Sequence, residues 1–203
     1  MKFRIMIWVC IVALGAYVLY GADALWRQRQ LAEKTIRLHV VANSDSPKDQ
    51  AQKLRIRDAV LEEVGKLTAV CTTSQEATQT LNENLPVLTQ AAGEILAEEN
   101  SDYAVEVTLT RENFNTRQYD TFTLPAGEYP SLRVKIGAAQ GKNWWCVVFP
   151  SLCTAATSDD LEQYAEVGGY DREETQFITG GEEEYILRFK TLEWIQKIKS
   201  WFH

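Results

Sequence analysis

The sequence predicts an α/β protein of α+β character, in which two or more helices cover a mainly antiparallel sheet as a two-layer sandwich. An N-terminal hydrophobic segment precedes this domain. The prediction depends on three observations: a long uncharged run near the start, helical periodicity in the middle, and alternation with a period of two from Tyr103 onward. The 203 residues are enough to bury one substantial core, so we expect a single domain after the N-terminal segment.

The N-terminal segment combines a basic start with an uncharged run of 18 residues at 5–22. Together with the small residues Ala22 and Ala24 in an A-x-A arrangement, these features are typical of a secretory signal. An apolar run of this length can also cross the hydrocarbon core as a helix. We therefore predict that residues 1–24 are a signal peptide or a signal anchor, and that residues 25–203 form an extracytoplasmic domain.

The composition excludes some classes of partner. The chain carries a net charge of −7, whereas binding to nucleic acid requires a basic surface to match the phosphates. The same balance disfavours a polybasic patch for anionic lipid, and contact with a membrane is expected through the N-terminal segment.

A strand, a turn and a helix are predicted in order after this segment. The β-branched run at 35–42 ends at NSDSP, where Ser46 is placed as a helix N-cap, Pro47 as the first helical residue and Asp49 as the returning partner of a capping box. The buried face of this helix is predicted from residues at helical spacing, namely Ile56, Val60, Val64 and Leu67.

A second helical region begins with a capping box of Thr73 and Glu76. Its apolar stripe runs from Leu81 to Ile95, and Pro86 is expected to kink or divide it. From Tyr103 the alternating runs YAVEVTLT, YDTFTL, SLRVKI and WWCVVF predict four strands of an antiparallel meander, with the first strand joining the sheet at its edge or centre.

The last fifty residues divide into two parts. The stretch at about 154–184 is acidic, contains two glycine pairs and has few large apolar residues, so it is predicted to be a polar, mobile surface excursion. Beyond it, YILRFK is expected to be a last strand, and a Trp-rich helix is expected at about 191–202. The broad aromatic face of that helix could pack in the core or dock on a partner.

Cys146 and Cys153 are the cysteines whose spacing could allow a local disulfide, since a short loop containing Pro150 joins them. Two reduced, buried thiols are an equal alternative. A metal site is disfavoured because no neighbouring Cys or His completes four ligands, and no cofactor is expected.

Catalytic patterns are sparse. Of the two histidines only His39 lies within a predicted element, and there it reads as a packed or exposed strand residue more than as a general base. Asn43, Ser44 and Asp45 follow it, but these residue types are also the ordinary chemistry of a turn before a helix. No GxSxG, P-loop, GxGxxG, HExxH or CxxC motif is present in the sequence.

Four stretches resemble a known family. RLHVVANSDSPKDQAQKLRIRDAV at 37–60, YPSLRVKIG at 129–137, NWWCVVFPSLC at 143–153 and RFKTLEWIQ at 188–196 are similar to stage II sporulation protein R. ANSDSP followed by a helix with K-L-x-x-R-D-A-V, and NWWC with a second Cys seven residues on, form a specific combination. The resemblance covers most of the chain in order, but 66–100 and 154–184 match only in general character.

This resemblance implies a signalling protein of endospore-forming bacteria and no enzymatic activity. Members of the family are made in the forespore and exported to the space between the forespore and mother-cell membranes. There they activate a membrane-embedded aspartic protease of the mother cell, which removes the pro-sequence of sigma-E. Membrane association is expected if the N-terminal segment is not cleaved.

A ligand of this kind needs a surface that prefers the active state of its receptor. We place the partner-binding surface, as a hypothesis, at Asn43, Ser44 and Asp45 and at the segment Asn143, Trp144 and Trp145, because polar and aromatic side chains flank strand ends there. Alternatively, one tryptophan faces the core and the other covers the sheet.

Two rival functions follow from the same residues. The chain could be an extracytoplasmic hydrolase acting on cell wall, with His39, Ser44 and Asp45 as its catalytic set. It could also be a lipid-binding structural anchor, if the N-terminal segment is kept and the C-terminal helix binds lipid.

Overall fold

The computed structural model of the protein describes residues 2–152 and 158–179. It begins with one long helix, α1 (Lys2–Lys34). By length and composition, Arg4–Lys34 qualifies as a membrane-spanning helix, with a mean hydropathy of 2.2 in its most apolar window. Most of the described side chains in its first half are exposed large apolar groups such as Trp8, Val12 and Leu19. This segment is therefore the N-terminal apolar helix predicted from the sequence.

The predicted strand, turn and helix are present at β1 (Ile36–Val41) and α2 (Pro47–Thr68). The hydroxyl of Ser46 accepts the backbone N–H of Asp49 at 3.1 Å, which confirms the N-cap. The second helical region is divided, as Pro86 predicts, into α3 (Ser74–Glu83) and α4 (Leu85–Glu98). Proline is tolerated at this point because the first turn of a helix needs no donor there.

The sheet is mixed, with the order β2-β5-β1-β6. The remaining strands are β2 (Val105–Phe114), β5 (Gly127–Ile136) and β6 (Asn143–Phe149), together with a small ribbon of β3 (Arg117–Gln118) and β4 (Thr123–Leu124). β1 pairs in parallel with β5 and antiparallel with β6, whereas β2 pairs antiparallel with β5.

This order corrects the predicted meander. β1 is inserted between β5 and β6, so these two consecutive strands are not neighbours. The run YDTFTL does not supply a strand of the main sheet either, since only its last two residues pair, with β3. Two of the three interfaces in the main sheet are still antiparallel, as the fold class predicts.

One face of the sheet packs against α2, α3 and α4. Leu38 and Val40 of β1 are fully buried there beside alternate residues of the neighbouring strands and the apolar stripes of the helices. The members contributed by the helices include Ile56, Val60, Val64, Leu81, Leu88 and Ala92. This layer is the two-layer sandwich expected from the sequence.

The other face is partly covered as well, which the two-layer prediction did not include. The last turns of α1 lie on it, and α5 (Ser158–Val167) and α6 (Arg172–Thr179) share a second apolar cluster with them. The cluster members from these three helices are Ala24, Leu31, Leu161, Ala165, Phe177 and Ile178. The prediction of a polar surface excursion is therefore wrong for 158–179, because apolar residues at helical spacing in this segment are buried.

Some predictions fall outside the described residues. These are the partner cysteine Cys153, the strand YILRFK and the Trp-rich helix at about 191–202.

The central position of β1 predicts a large cost for truncating its side chains. Replacing Leu38 by Ala removes a fully buried side chain from the main core, and should lower the free energy of unfolding by about 2–5 kcal/mol. Urea unfolding of the full chain in detergent micelles measures this. Val87→Ala is the matched control because Val87 is 43% exposed, and it should cost less than about 1 kcal/mol. Equal costs for the two variants would contradict the assigned core.

Candidate functional site

The two segments nominated from the sequence come together at one end of the sheet. β1 ends at Val41, which pairs with Asn143 at the start of β6, and the ANSD loop follows directly. The backbone N–H of Lys142 donates to Asp45 Oδ1 at 2.7 Å. The nominated residues other than Trp145, together with Lys142, therefore form one continuous region of the molecule, which we call the distal end: Asn43, Ser44, Asp45, Lys142, Asn143 and Trp144.

Asp49 is the centre of the hydrogen bonds inside the loop. Its Oδ2 accepts from the Ser44 hydroxyl at 2.6 Å and from the Asn43 amide at 2.9 Å. The carboxylate is buried, and these two donors, Ser44 first, hold the pKa of Asp49 below its ordinary value. The predicted capping box is thus only half formed, because the Asp49 carboxylate binds Ser44 and Asn43 and does not return to the N-cap backbone.

The loop also holds the turn between β5 and β6. Asn43 Oδ1 accepts the backbone N–H of Ala138 at 2.9 Å, and Asn43 O accepts that of Gln140 at 3.1 Å. Two glycines allow this close approach. Gly137 has a φ of +55°, and a Cβ on Gly141 would lie 2.3 Å from the carbonyl oxygen of Ser44. Asn43 and Ser44 therefore join β1, α2 and the β5–β6 turn.

A smaller set of side chains at the distal end is open to solvent. Asp45, Lys142 and Asn143 are exposed, and Trp144 is 38% exposed. The guanidinium of Arg57 on α2 lies over the Trp144 ring, 4.3 Å from its centroid. This end of the sheet thus offers the Trp144 ring on the α2 face and the Asn143 amide on the His39 face. Tryptophan and arginine are enriched in protein interfaces.

Trp145 points to the opposite face of the sheet, as alternation along the strand requires. Its ring stacks on His39 with centroids 3.7 Å apart and meets Phe114 edge to face at 5.0 Å. Of the two tryptophans nominated from the sequence, Trp144 is therefore the exposed one. Trp145 serves packing on the second face.

His39 belongs to a polar cluster that connects all four strands of the main sheet. Its Nδ1 lies 3.1 Å from Glu112 Oε2 on β2, and its Nε2 lies 2.8 Å from Asn143 Oδ1 on β6. Glu112 also accepts the Ser131 hydroxyl at 2.7 Å and pairs with Arg133 at 3.2 Å, both on β5. We call this the Glu112 cluster; its contacts explain why a histidine is buried in a central strand.

Arg37 lies two residues before His39 on the same face and is fully buried. Its guanidinium lies 4.0 Å from the centroid of the Phe114 ring and 5.1 Å from that of Tyr129, and it donates to the Tyr119 hydroxyl at 3.0 Å. Within the described residues, Arg37 has no ion pair with a carboxylate. The aromatic rings therefore provide much of its stabilisation.

The catalytic set considered from the sequence does not assemble. His39 contacts Glu112 and Asn143, whereas the hydroxyl of Ser44 donates to Asp49. Asp45 accepts a backbone N–H and does not orient the imidazole. The three residues thus have separate partners, and each of these contacts joins structural elements.

Metal and thiol chemistry can be assessed for the described residues. Among them, no group of three or more His, Cys, Asp or Glu side chains is placed to hold a metal ion. Cys10 is exposed and Cys71 is buried, and both are free. Cys146 is buried in the main core and is disulfide-bonded. Its predicted partner, Cys153, lies outside the described residues, so that pairing stays a prediction.

Several important residues were not identified from the sequence. The sequence predicts Asp49 only as part of a capping box, and Arg57, Glu112 and Lys142 are not among the predicted site residues. Predicting these contacts would have required the pairing register of β1 in the sheet. Once β1 lies between β5 and β6, the pairing places His39 beside Trp145 and Arg133.

Comparisons with known proteins identify the family of this chain. The family model described as stage II sporulation protein R matches residues 32–159, more than half of the chain. The chain belongs to the stage II sporulation protein R family. The protein named stage II sporulation protein R from Bacillus subtilis (strain 168) is 37% identical over 123 residues, which cover 61% of this chain and 55% of that protein. No solved structure matches this chain.

The family match includes both segments of the distal end, so the region is part of what this chain shares with the stage II sporulation protein R family. Membership indicates a role in sporulation. The chain is similar to just over half the length of the Bacillus subtilis protein, so more specific activities are treated below as proposals.

The distal end lies far from the apolar part of α1. Three contacts follow β5 in order from its start. Gln28 of α1 contacts Gly127, and Glu33 of α1 binds Arg111 of β2, which pairs with Pro130. Further along, Val41 of β1 pairs with Lys135. These contacts advance in one direction, so α1 and β1 run the same way across the sheet. β1 alone adds about 20 Å along this direction.

The Asp49 contacts predict a pH-dependent stability. Since the folded pKa of Asp49 is lowered, its stabilisation is complete above the unfolded value of about 4 and is lost as the pH falls through the folded pKa. Asp49→Asn should therefore lower the free energy of unfolding by about 1–3 kcal/mol at pH 7, and by less at pH 3.

Urea unfolding of the full chain at both pH values measures this difference. Asp58→Asn on the same helix is the control, since the Asp58 side chain is 64% exposed and its loss should matter little at either pH. An Asp49→Asn cost that is the same at pH 7 and pH 3 would contradict the assigned role of the carboxylate.

Proposed function

We propose that this protein is an intercompartmental signalling ligand of sporulation, exported from the forespore to the intermembrane space. There it activates a membrane-embedded aspartic protease of the mother cell, and that protease processes pro-sigma-E. The observation that carries the proposal is membership of the stage II sporulation protein R family over residues 32–159. The protein acts by binding, without an enzymatic step of its own.

The architecture supports a ligand that is presented outside the cytoplasm. The apolar N-terminal half of α1 suits export or insertion into a membrane, and the folded domain follows it directly. The distal end lies at the other end of the sheet, where a partner can reach it. Membership of the family and this apolar helix both support the proposed export from the forespore.

Activation requires the ligand to bind the active state of the receptor more tightly than the inactive state. The exposed side chains of the distal end, Asp45, Asn143 and Trp144, are the contacts we assign to this discrimination. Asn43 and Ser44 act indirectly, because their side chains hold the loop in shape. Trp144 is the expected main contact, since partly exposed tryptophans are frequent hot spots in interfaces.

Reconstitution in a non-sporulating host tests the proposal. The full chain is co-expressed with the membrane protease and pro-sigma-E, and cleavage of the substrate is followed on a blot. Cleavage should require the chain, and Trp144→Ala should reduce it at least about tenfold, as expected for loss of a contact that contributes more than 1.4 kcal/mol.

The matched control is Tyr164→Ala. Tyr164 is 40% exposed, as Trp144 is 38% exposed, but it lies on α5, which packs with α1 in the second cluster. This variant should support normal cleavage. Absence of cleavage with all three proteins expressed and the chain exported would refute the ligand proposal, and equal loss in both variants would refute the assigned surface.

The hydrolase alternative predicts a different outcome for His39. A general base typically contributes about 10²–10⁴ in rate, so His39→Gln in a hydrolase should abolish turnover of purified cell wall. For a ligand, wild-type protein should release no soluble fragments from cell wall. The variant should then activate the protease in proportion to the amount of folded protein. Wild-type turnover that His39→Gln removes would favour the hydrolase.

A further inference from the structure

The helix α1 continues without interruption from the apolar run into the folded domain. It extends from Lys2 to Lys34, and the residues after Gly21 contain no glycine or proline that would end it. Its last turns are buried in the domain, with Ala24 at 3%, Leu31 at 0% and Ala32 at 2% exposure. The apolar run and the domain are thus joined by a rigid element.

Polar contacts fix the same turns to distant parts of the chain. Arg27 pairs with Glu173 at 2.6 Å, and Lys34 with Glu174 at 2.6 Å, both on α6. The carbonyl of Glu33 accepts the hydroxyl of Ser74 at the start of α3. All three contacts are made by residues of α1 that follow Ala22 and Ala24 in the chain.

We propose that α1 is kept in the mature protein as a membrane anchor and is not removed as a signal peptide. The A-x-A arrangement that suggests cleavage has another explanation in the structure, since Ala24 is small because it packs within the second apolar cluster. Proteolytic sites are typically exposed and irregular segments, whereas Ala22 and Ala24 are helical and Ala24 is buried.

The length of the apolar run supports the same conclusion. The apolar region of a signal peptide has about 7–15 residues, and a spanning helix needs about 20. The run at 5–22 has 18 residues and is followed by Trp26, which is 60% exposed on α1. A tryptophan just beyond the apolar run is placed where interfacial aromatic residues anchor a membrane helix.

The consequence is a tethered domain with a defined orientation. Because α1 and β1 advance in the same direction along the sheet, the anchor enters at one end and the distal end faces away from the anchoring bilayer. A membrane-embedded partner in an opposing bilayer would meet that surface first. The anchor inference itself does not depend on the proposed receptor.

The test is the fate of the N-terminus in a host that has signal peptidase. The full chain carries one epitope at each end, and membranes are separated and washed at alkaline pH. We expect a single full-length species with both epitopes in the washed membrane. Loss of the N-terminal epitope, with a chain beginning at Leu25 in the soluble fraction, would overturn the proposal.

A matched variant separates the two causes of retention. A flexible Gly/Ser segment of about 12 residues that contains a second A-x-A sequence is inserted between Tyr20 and Gly21, which places a site outside the helix. If this variant is cleaved and released, burial in the folded helix protects the wild-type site. If it also stays intact, the length of the apolar run is sufficient for retention, and the anchor is supported in either case.

Discussion

The structure depends on the position of β1 in the centre of the main sheet. This strand is joined at its start to α1 and at its end to the ANSD loop, and it pairs with β5 on one side and β6 on the other. Its alternate residues serve both faces, Leu38 and Val40 in the main core and Arg37 and His39 on the second face. Any shift of its register would exchange these two sets.

The ANSD loop shows how a conspicuous polar sequence can have a mainly structural role. Asn43, Ser44 and Asp49 satisfy one another and the β5–β6 turn, which explains why these residue types are required. The exposed side chains at this end are Asp45 of the loop and Asn143 and Trp144 of β6. We propose that the buried polar residues fix the geometry of the loop and that the exposed side chains contact a partner.

The Glu112 cluster also has a mainly structural role, on the second face of the sheet. It joins His39 of β1 and Ser131 and Arg133 of β5 to the Glu112 carboxylate of β2. The cluster reaches β6 through His39, which contacts Asn143 and is covered by the Trp145 ring. Polar networks of this kind are stable only when their members are paired, since an unpaired buried charge is costly. The cluster therefore helps to hold β2 and β6, the two outer strands, in a fixed relation to the centre.

Local signals in the sequence were sufficient for the elements that depend on local chemistry. Ser46 and Pro47 marked the start of α2, and Pro86 marked the division between α3 and α4. Both features arise from neighbouring residues along the chain, so a single sequence contains the needed information.

Strand order and long-range partners could not be predicted in this way. The insertion of β1 between β5 and β6 depends on packing between segments about a hundred residues apart, and alternation within a strand does not encode it. For the same reason the role of Glu112 was missed. The acidic composition of 158–179 did not predict its two helices, because only a few apolar residues such as Leu161 and Phe177 face the core.

In the proposed function, the distal end of the domain contacts the receptor. The most direct measurement is site-specific photo-crosslinking in cells that contain the membrane protease, with the crosslinking amino acid placed at Asp45 or, as a comparison, at Tyr164. We expect a covalent adduct with the protease from position 45 and none from position 164. An adduct from position 164 alone would contradict this assignment, because the receptor would then bind the side of the domain that packs with α1.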